Sequence, residues 1–118
     1  MPNQDAHVAK MFHAMGDATR LGVVERLARG PAPVGELFGA VSMTLPSFLQ
    51  HLRLLEDCGI IQSEKVGRVR TCSLQPDGLS AAKSWIDVQR SAWASRLEAL
   101  EDYVAEASRN DPGKDRHG

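Results

Sequence analysis

The 118-residue chain has only two cysteines, Cys58 and Cys72, and few aromatic residues: three Phe, two Trp and one Tyr. The cysteines form no CxC or CxxC unit, which excludes a zinc knuckle and a thioredoxin-type motif, and in a reducing compartment both are expected as free thiols. No apolar run approaches the roughly 20 residues that a membrane span needs. The opening MPNQDAHVAK lacks the charged-then-apolar layout of a signal peptide, so a cytoplasmic location without a membrane partner is expected. A phosphate-binding glycine loop, a nucleophile elbow and a paired acid–base set are also missing, which argues against an enzyme and implies no cofactor.

What is present is ordinary in bulk and uneven in detail. A hydrophobic fraction of 42% and a charged fraction of 25% suit a globular domain large enough to bury its own core and small enough to gain from dimerisation. The formal net charge is -1, but what matters for nucleic-acid binding is where charge sits. In KVGRVR, Lys65, Arg68 and Arg70 crowd into six residues with no acid among them. After Arg90 the acids Glu98, Glu101, Asp102 and Glu106 dominate.

Periodicity orders the chain. Val8, Met11, Phe12 and Met15 fall at helical spacing, predicting a helix from about Asp5 to Met15 that Gly16 can end. Asp17 can cap a second helix carrying Leu21, Val24, Leu27 and Ala28, stopped by Gly30, Pro31 and Pro33. A short third helix is expected over roughly Val34 to Ala40. Thr44 as N-cap and Pro46 in the first turn start a fourth helix, Leu45 to Asp57, which Gly59 ends. The period then changes to two, with Ile61, Ser63 and Lys65 alternating and Val69, Thr71 and Ser73 returning after Gly67. That reads as a hairpin over Ile60 to Leu74. From Asp77 to about Ala107 the pattern is helical, and Ile86, Trp93, Leu97, Leu100, Val104 and Ala107 form a heptad-like seam.

The predicted fold class is mainly α with a small β-hairpin, in the order of a winged helix-turn-helix. Its recognition helix would be Leu45 to Asp57 and its wing the hairpin. Within that helix Phe48, Leu52 and Leu55 suffice for one buried stripe, yet Leu45, Leu49 and Leu54 add to it. On a helical wheel Leu45 and Leu49 lie at the edge of the stripe. They therefore have two readings: a wider core face, or apolar contact with thymine methyl groups in a major groove. Gln50 and Arg53 lie away from the stripe, with chemistry suited to base edges and phosphate. Lys65, Arg68 and Arg70 suit a wing on a phosphate backbone, although charged residues also protect an exposed strand edge from mispairing.

The segments FHAMGDATRLGVVERLARG, SMTLPSFLQHLRLLEDCGII, EKVGRVRTCSLQP and WASRLEALEDYV together resemble the ArsR-type family of bacterial winged-helix repressors, over roughly Val8 to Val104. The resemblance implies a homodimeric transcription factor on a partly palindromic operator of double-stranded DNA, usually released by an inducer, here a small molecule of unknown identity. Thr44, Leu45, Ser47, Leu49, Gln50, His51, Arg53, Lys65, Arg68 and Arg70 are then the candidate DNA-binding residues. Where the family commonly has Gln, Ser and His, this chain has Leu45, Leu49 and Gln50. The implied dimer forms through the first and last helices, with Val8, Met11, Phe12, Met15, Ile86, Trp93, Leu97, Leu100 and Val104 as candidate interface. Residues 1–108 would be the DNA-binding and dimerisation domain and 109–118 a disordered tail.

The branch resembled is one without evident metal ligands. The family's thiolate site uses a Cys pair near the third helix, where this chain reads PVGELFGAV, and its other common site needs His on the last helix, where residues 77 to 107 have none. His7 and His13 do not share a helix face, and His117 is in the tail. Three other expectations stand beside the repressor: a thiol switch at Cys58 and Cys72, a sensor pocket between Trp85, Trp93 and the first helix, and a protein-interaction module that binds no DNA. For the cysteines the plain alternative is two small half-buried residues.

Overall fold

The computed structural model describes residues 2–110, with side chains from Ala6 onward. His117 and nearly all of the expected 109–118 tail lie outside the described residues. The elements are α1 (Pro2–Met15), α2 (Ala18–Leu27), β1 (Ala32–Pro33), α3 (Val34–Gly39), α4 (Leu45–Asp57), β2 (Ile61–Val66), β3 (Val69–Leu74) and α5 (Ser80–Arg109). Two compact units divide the chain, Met1–Lys83 and Ser84 onward. Among the described residues, no helix is long and apolar enough to cross a membrane.

In the first unit the helices start and stop where short-range chemistry says they should. The Asp17 side chain accepts from the Arg20 N–H and caps α2. Thr44 caps α4, accepting from the Ser47 N–H at 3.4 Å, and its hydroxyl donates to Ser47 Oγ at 2.9 Å. At the other end of α4 the Gly59 N–H bonds Glu56 O and the Ile60 N–H bonds Leu55 O. That pair of bonds is a Schellman closure, which needs the left-handed backbone that Gly59 adopts at φ 76°. Leu55 and Ile60, the residues such a closure brings together, are both buried.

The sheet has one strand more than the hairpin read from the sequence. β2 and β3 pair antiparallel from Ile61 opposite Leu74 to Val66 opposite Val69, and β1 adds to the far side of β3 through Ala32 opposite Cys72. Pro33 is tolerated there because β1 is an edge strand. Between β2 and β3, Gly67 takes φ 64° while Arg68 does not take a positive φ, the pattern of a two-residue II′ turn that matches strand twist.

One core holds this unit together. Met11 and Ala14 of α1, Val23, Val24 and Leu27 of α2, and Leu37 of α3 pack with Phe48, Leu52 and Leu55 of α4, with Ile60, Ile61 and Cys72 closing it from the hairpin. The rings of Phe38 and Phe48 meet at 5.7 Å, tilted by 46°. In the second unit, by contrast, every residue of α5 from Ser84 to Ala107 is exposed within the single chain.

Candidate nucleic-acid interface

α4 presents two chemically distinct faces. Phe48, Leu52 and Leu55 are buried, so three side chains complete its core contact. Leu45 and Leu49 are 45% and 41% exposed, and Thr44, Ser47, Gln50 and Arg53 are exposed with them. The outer face of the first three turns therefore combines two leucines, two hydroxyls, an amide and a guanidinium. Leu54, the third extra leucine, is only partly buried and packs against the core.

The angle of α4 is held by a residue to which the sequence assigned no role. Arg20 is the one buried charged side chain among the described residues. Its Nε donates to Ala14 O at 2.6 Å and its Nη2 to His13 O at 3.3 Å, carbonyls in the last turn of α1. Its Nη1 lies 2.8 Å from His51 Nδ1 on α4. A guanidinium only donates, so Nδ1 accepts and the ring proton sits on Nε2. The carbonyls at a helix C-terminus lack partners and carry partial negative charge, which is what a cation can satisfy there. One side chain thus joins the end of α1, the start of α2 and the middle of α4. Asp17 Oδ2 lies 3.8 Å from the same imidazole nitrogen. His51, for which the sequence leaves helix packing or phosphate contact open, is half-buried in this network.

The hairpin concentrates positive charge where strand pairing alone does not favour it. Lys65 stands directly opposite Arg70, and like charges facing each other across strands are destabilising. Arg70 donates to Ser63 Oγ at 3.0 Å, and Arg68 sits in the turn beyond. An anionic partner would offset that repulsion. Val66 and Val69 flank the turn and are exposed.

Both thiols are buried. Burial raises the pKa of Cys58, with the Asp57 carboxylate adding to the effect, and Sγ donates to Lys10 O at 3.5 Å. Burial likewise raises that of Cys72, with Glu56 adding. A reactive cysteine needs the opposite, a thiolate favoured near neutrality. At pH 7 a thiol reagent is therefore expected to label the native chain at least about tenfold more slowly than the denatured chain. Equal rates would show that one thiol is open to reaction. Among the described residues, no three His, Cys, Asp or Glu side chains gather as a metal-binding group.

Of the candidate interface residues, Ile86, Trp93, Leu97, Leu100 and Val104 are all exposed on α5, whereas on α1 Val8 and Met11 are buried, leaving Phe12 exposed and Met15 half-buried. Trp85 is also exposed. Helices α3 and α4 joined by a short turn, with a basic two-stranded hairpin directly after the second, define a winged helix-turn-helix protein.

The model for bacterial regulatory proteins of the arsR family matches residues 17–63. The chain is 36% identical over 78 residues to the HTH-type transcriptional regulator Rv2034 of Mycobacterium tuberculosis, covering 66% of this chain and 73% of that protein. It is 30% identical over 101 residues to the arsenical resistance operon repressor of Escherichia coli K12, covering 85% and 84%. A crystal structure of the ArsR family transcriptional regulator RHA00566 superposes with a TM-score of 0.71 at 42% identity, covering 80% of this chain and 95% of that one. The protein belongs to the ArsR family of transcriptional regulators.

Proposed function

We propose that the protein is a homodimeric repressor that binds a partly palindromic operator, with residues 1–108 acting as one DNA-binding and dimerisation domain. The observation that carries this reading is the exposed outer face of α4 followed directly by a hairpin whose Lys65 and Arg70 oppose each other. In this reading Thr44 and Ser47 hold a phosphate at the start of α4, Gln50 meets a base edge, and Arg53 meets the backbone. Lys65, Arg68 and Arg70 add affinity that does not depend on sequence. Dimerisation draws support from α5, whose apolar seam is exposed in the single chain, a state that water does not favour for so continuous a stripe.

The test is binding to DNA at several salt concentrations. A protein that neutralises phosphates loses affinity steeply as salt rises, whereas a module that binds only protein retains no DNA at any salt. Arg68→Ala or Arg70→Ala is expected to weaken binding to every sequence and to flatten the salt slope by up to about one unit each. Gln50→Ala should instead cost about 1–3 kcal/mol at one base pair. Uniform loss across sequences for Gln50→Ala would count against direct base reading.

A further inference from the structure

The outer face of α4 is more apolar than phosphate or base-edge hydrogen bonding requires. Leu45 and Leu49 lie one helical turn apart on the same side, in the first two turns, where a recognition helix approaches base edges. Neither is needed by the core, which Phe48, Leu52 and Leu55 already complete with almost no exposure. Each leaves more than 40% of its surface in water, a cost with no return inside the chain. Leucine has no donor or acceptor to offer a base. The one apolar group that base pairs display in the major groove is the C5-methyl of thymine.

We infer that Leu45 and Leu49 are specificity residues that read thymine methyl groups, so that each operator half-site carries thymine against the start of α4. This inference rests on the reading of the protein as a DNA-binding regulator. Gln50, next along the helix, supplies the polar contact that fixes register, and the leucines favour pyrimidines bearing a methyl group beside it. Arg53 on the same helix, and Lys65, Arg68 and Arg70 on the hairpin that follows it, make DNA, rather than an apolar protein surface, the occupant that the charge favours.

The experiment uses the full chain and an operator recovered from a random DNA pool. Each thymine is replaced singly by uracil, which deletes the methyl and leaves pairing intact, and in a second series by 5-methylcytosine paired with guanine, which keeps the methyl and changes the hydrogen-bonding edge. At one or two thymines per half-site, uracil is expected to weaken binding about fourfold, the value of one buried methyl group, while 5-methylcytosine at those positions retains part of the affinity. In Leu45→Ala and Leu49→Ala chains, matched to the parent in melting temperature, thymine and uracil should bind alike at the affected position. Three outcomes would overturn the inference: uracil neutral at every position, a uracil penalty that persists in both variants, or unchanged DNA binding by the variants. Failure to recover any operator would instead overturn the DNA-binding reading itself.

Discussion

A chain carrying both Leu97→Glu and Leu100→Glu is expected to sediment as a folded monomer and to lose at least about a hundredfold in operator affinity. The two positions lie in the middle of the α5 seam, between Trp93 at 62% exposure and Val104 at 53%. Burying an unpaired carboxylate in an apolar seam is strongly unfavourable, and a two-fold interface would bury four of them. The single chain does not need these leucines for its own core, since neither belongs to the buried cluster. Folding should therefore survive while pairing fails. Affinity falls because one α4 and one wing span too few base pairs, whereas two copies reach half-sites about 34–36 Å apart. A double variant that stays dimeric and keeps its affinity would place the dimer element elsewhere.

Arg20→Met is expected to lower the melting temperature by about 8–20 °C, the equivalent of about 2–4 kcal/mol in a domain of this size. Methionine fills much of the volume but satisfies neither the Ala14 carbonyl nor His51 Nδ1, both of which Arg20 now holds, while the His13 carbonyl keeps the Gly16 N–H as donor. A buried acceptor such as the Ala14 carbonyl, left without its donor, costs more than the average hydrogen bond returns. DNA affinity should drop further than stability alone accounts for, because α4 loses its tie to α1 and α2. A melting temperature within about 2 °C of the parent would mean that the network is dispensable.

The same network has a pH signature. The Arg20 backbone N–H holds the Asp17 carboxyl below the ordinary aspartate range; desolvation, the next largest influence, opposes it, and the positive charge of Arg20 adds to the lowering. A depressed carboxylate stabilises the fold above the unfolded-state value and stops doing so as pH falls through the lowered one. Asp17→Asn should therefore lower stability near neutral pH, where the depressed carboxylate acts, and converge with the parent as pH falls below about 4, flattening the acid limb of the stability profile.

Much of this was legible because punctuation and period agree. Thr44, Pro46 and Gly59 bound α4, and alternation around Gly67 marks the wing. The alternation could not reveal β1, since two residues, Ala32 and Pro33, carry no period and owe their pairing to β3. Leu45 and Leu49 could not be assigned by a wheel because they sit where the buried stripe meets the outer face, and only packing shows which side of that edge is covered. Val8 and Met11 fit a dimer seam by spacing, yet both are buried in the single chain. The role of Arg20 is not legible in the sequence because one arginine on an amphipathic helix looks like a solvated charge. Its partners belong to the end of α1 and the middle of α4, places that no local pattern connects to it.

Selection of bound sequences from a random duplex pool tests the central claim most directly. A dimeric repressor with this interface should enrich an inverted repeat whose half-sites are centred about 10–10.5 base pairs apart or a multiple of that spacing, and retention should fall steeply between about 50 and 200 mM salt. Recovery of no shared sequence, or of a single half-site without symmetry, would contradict it.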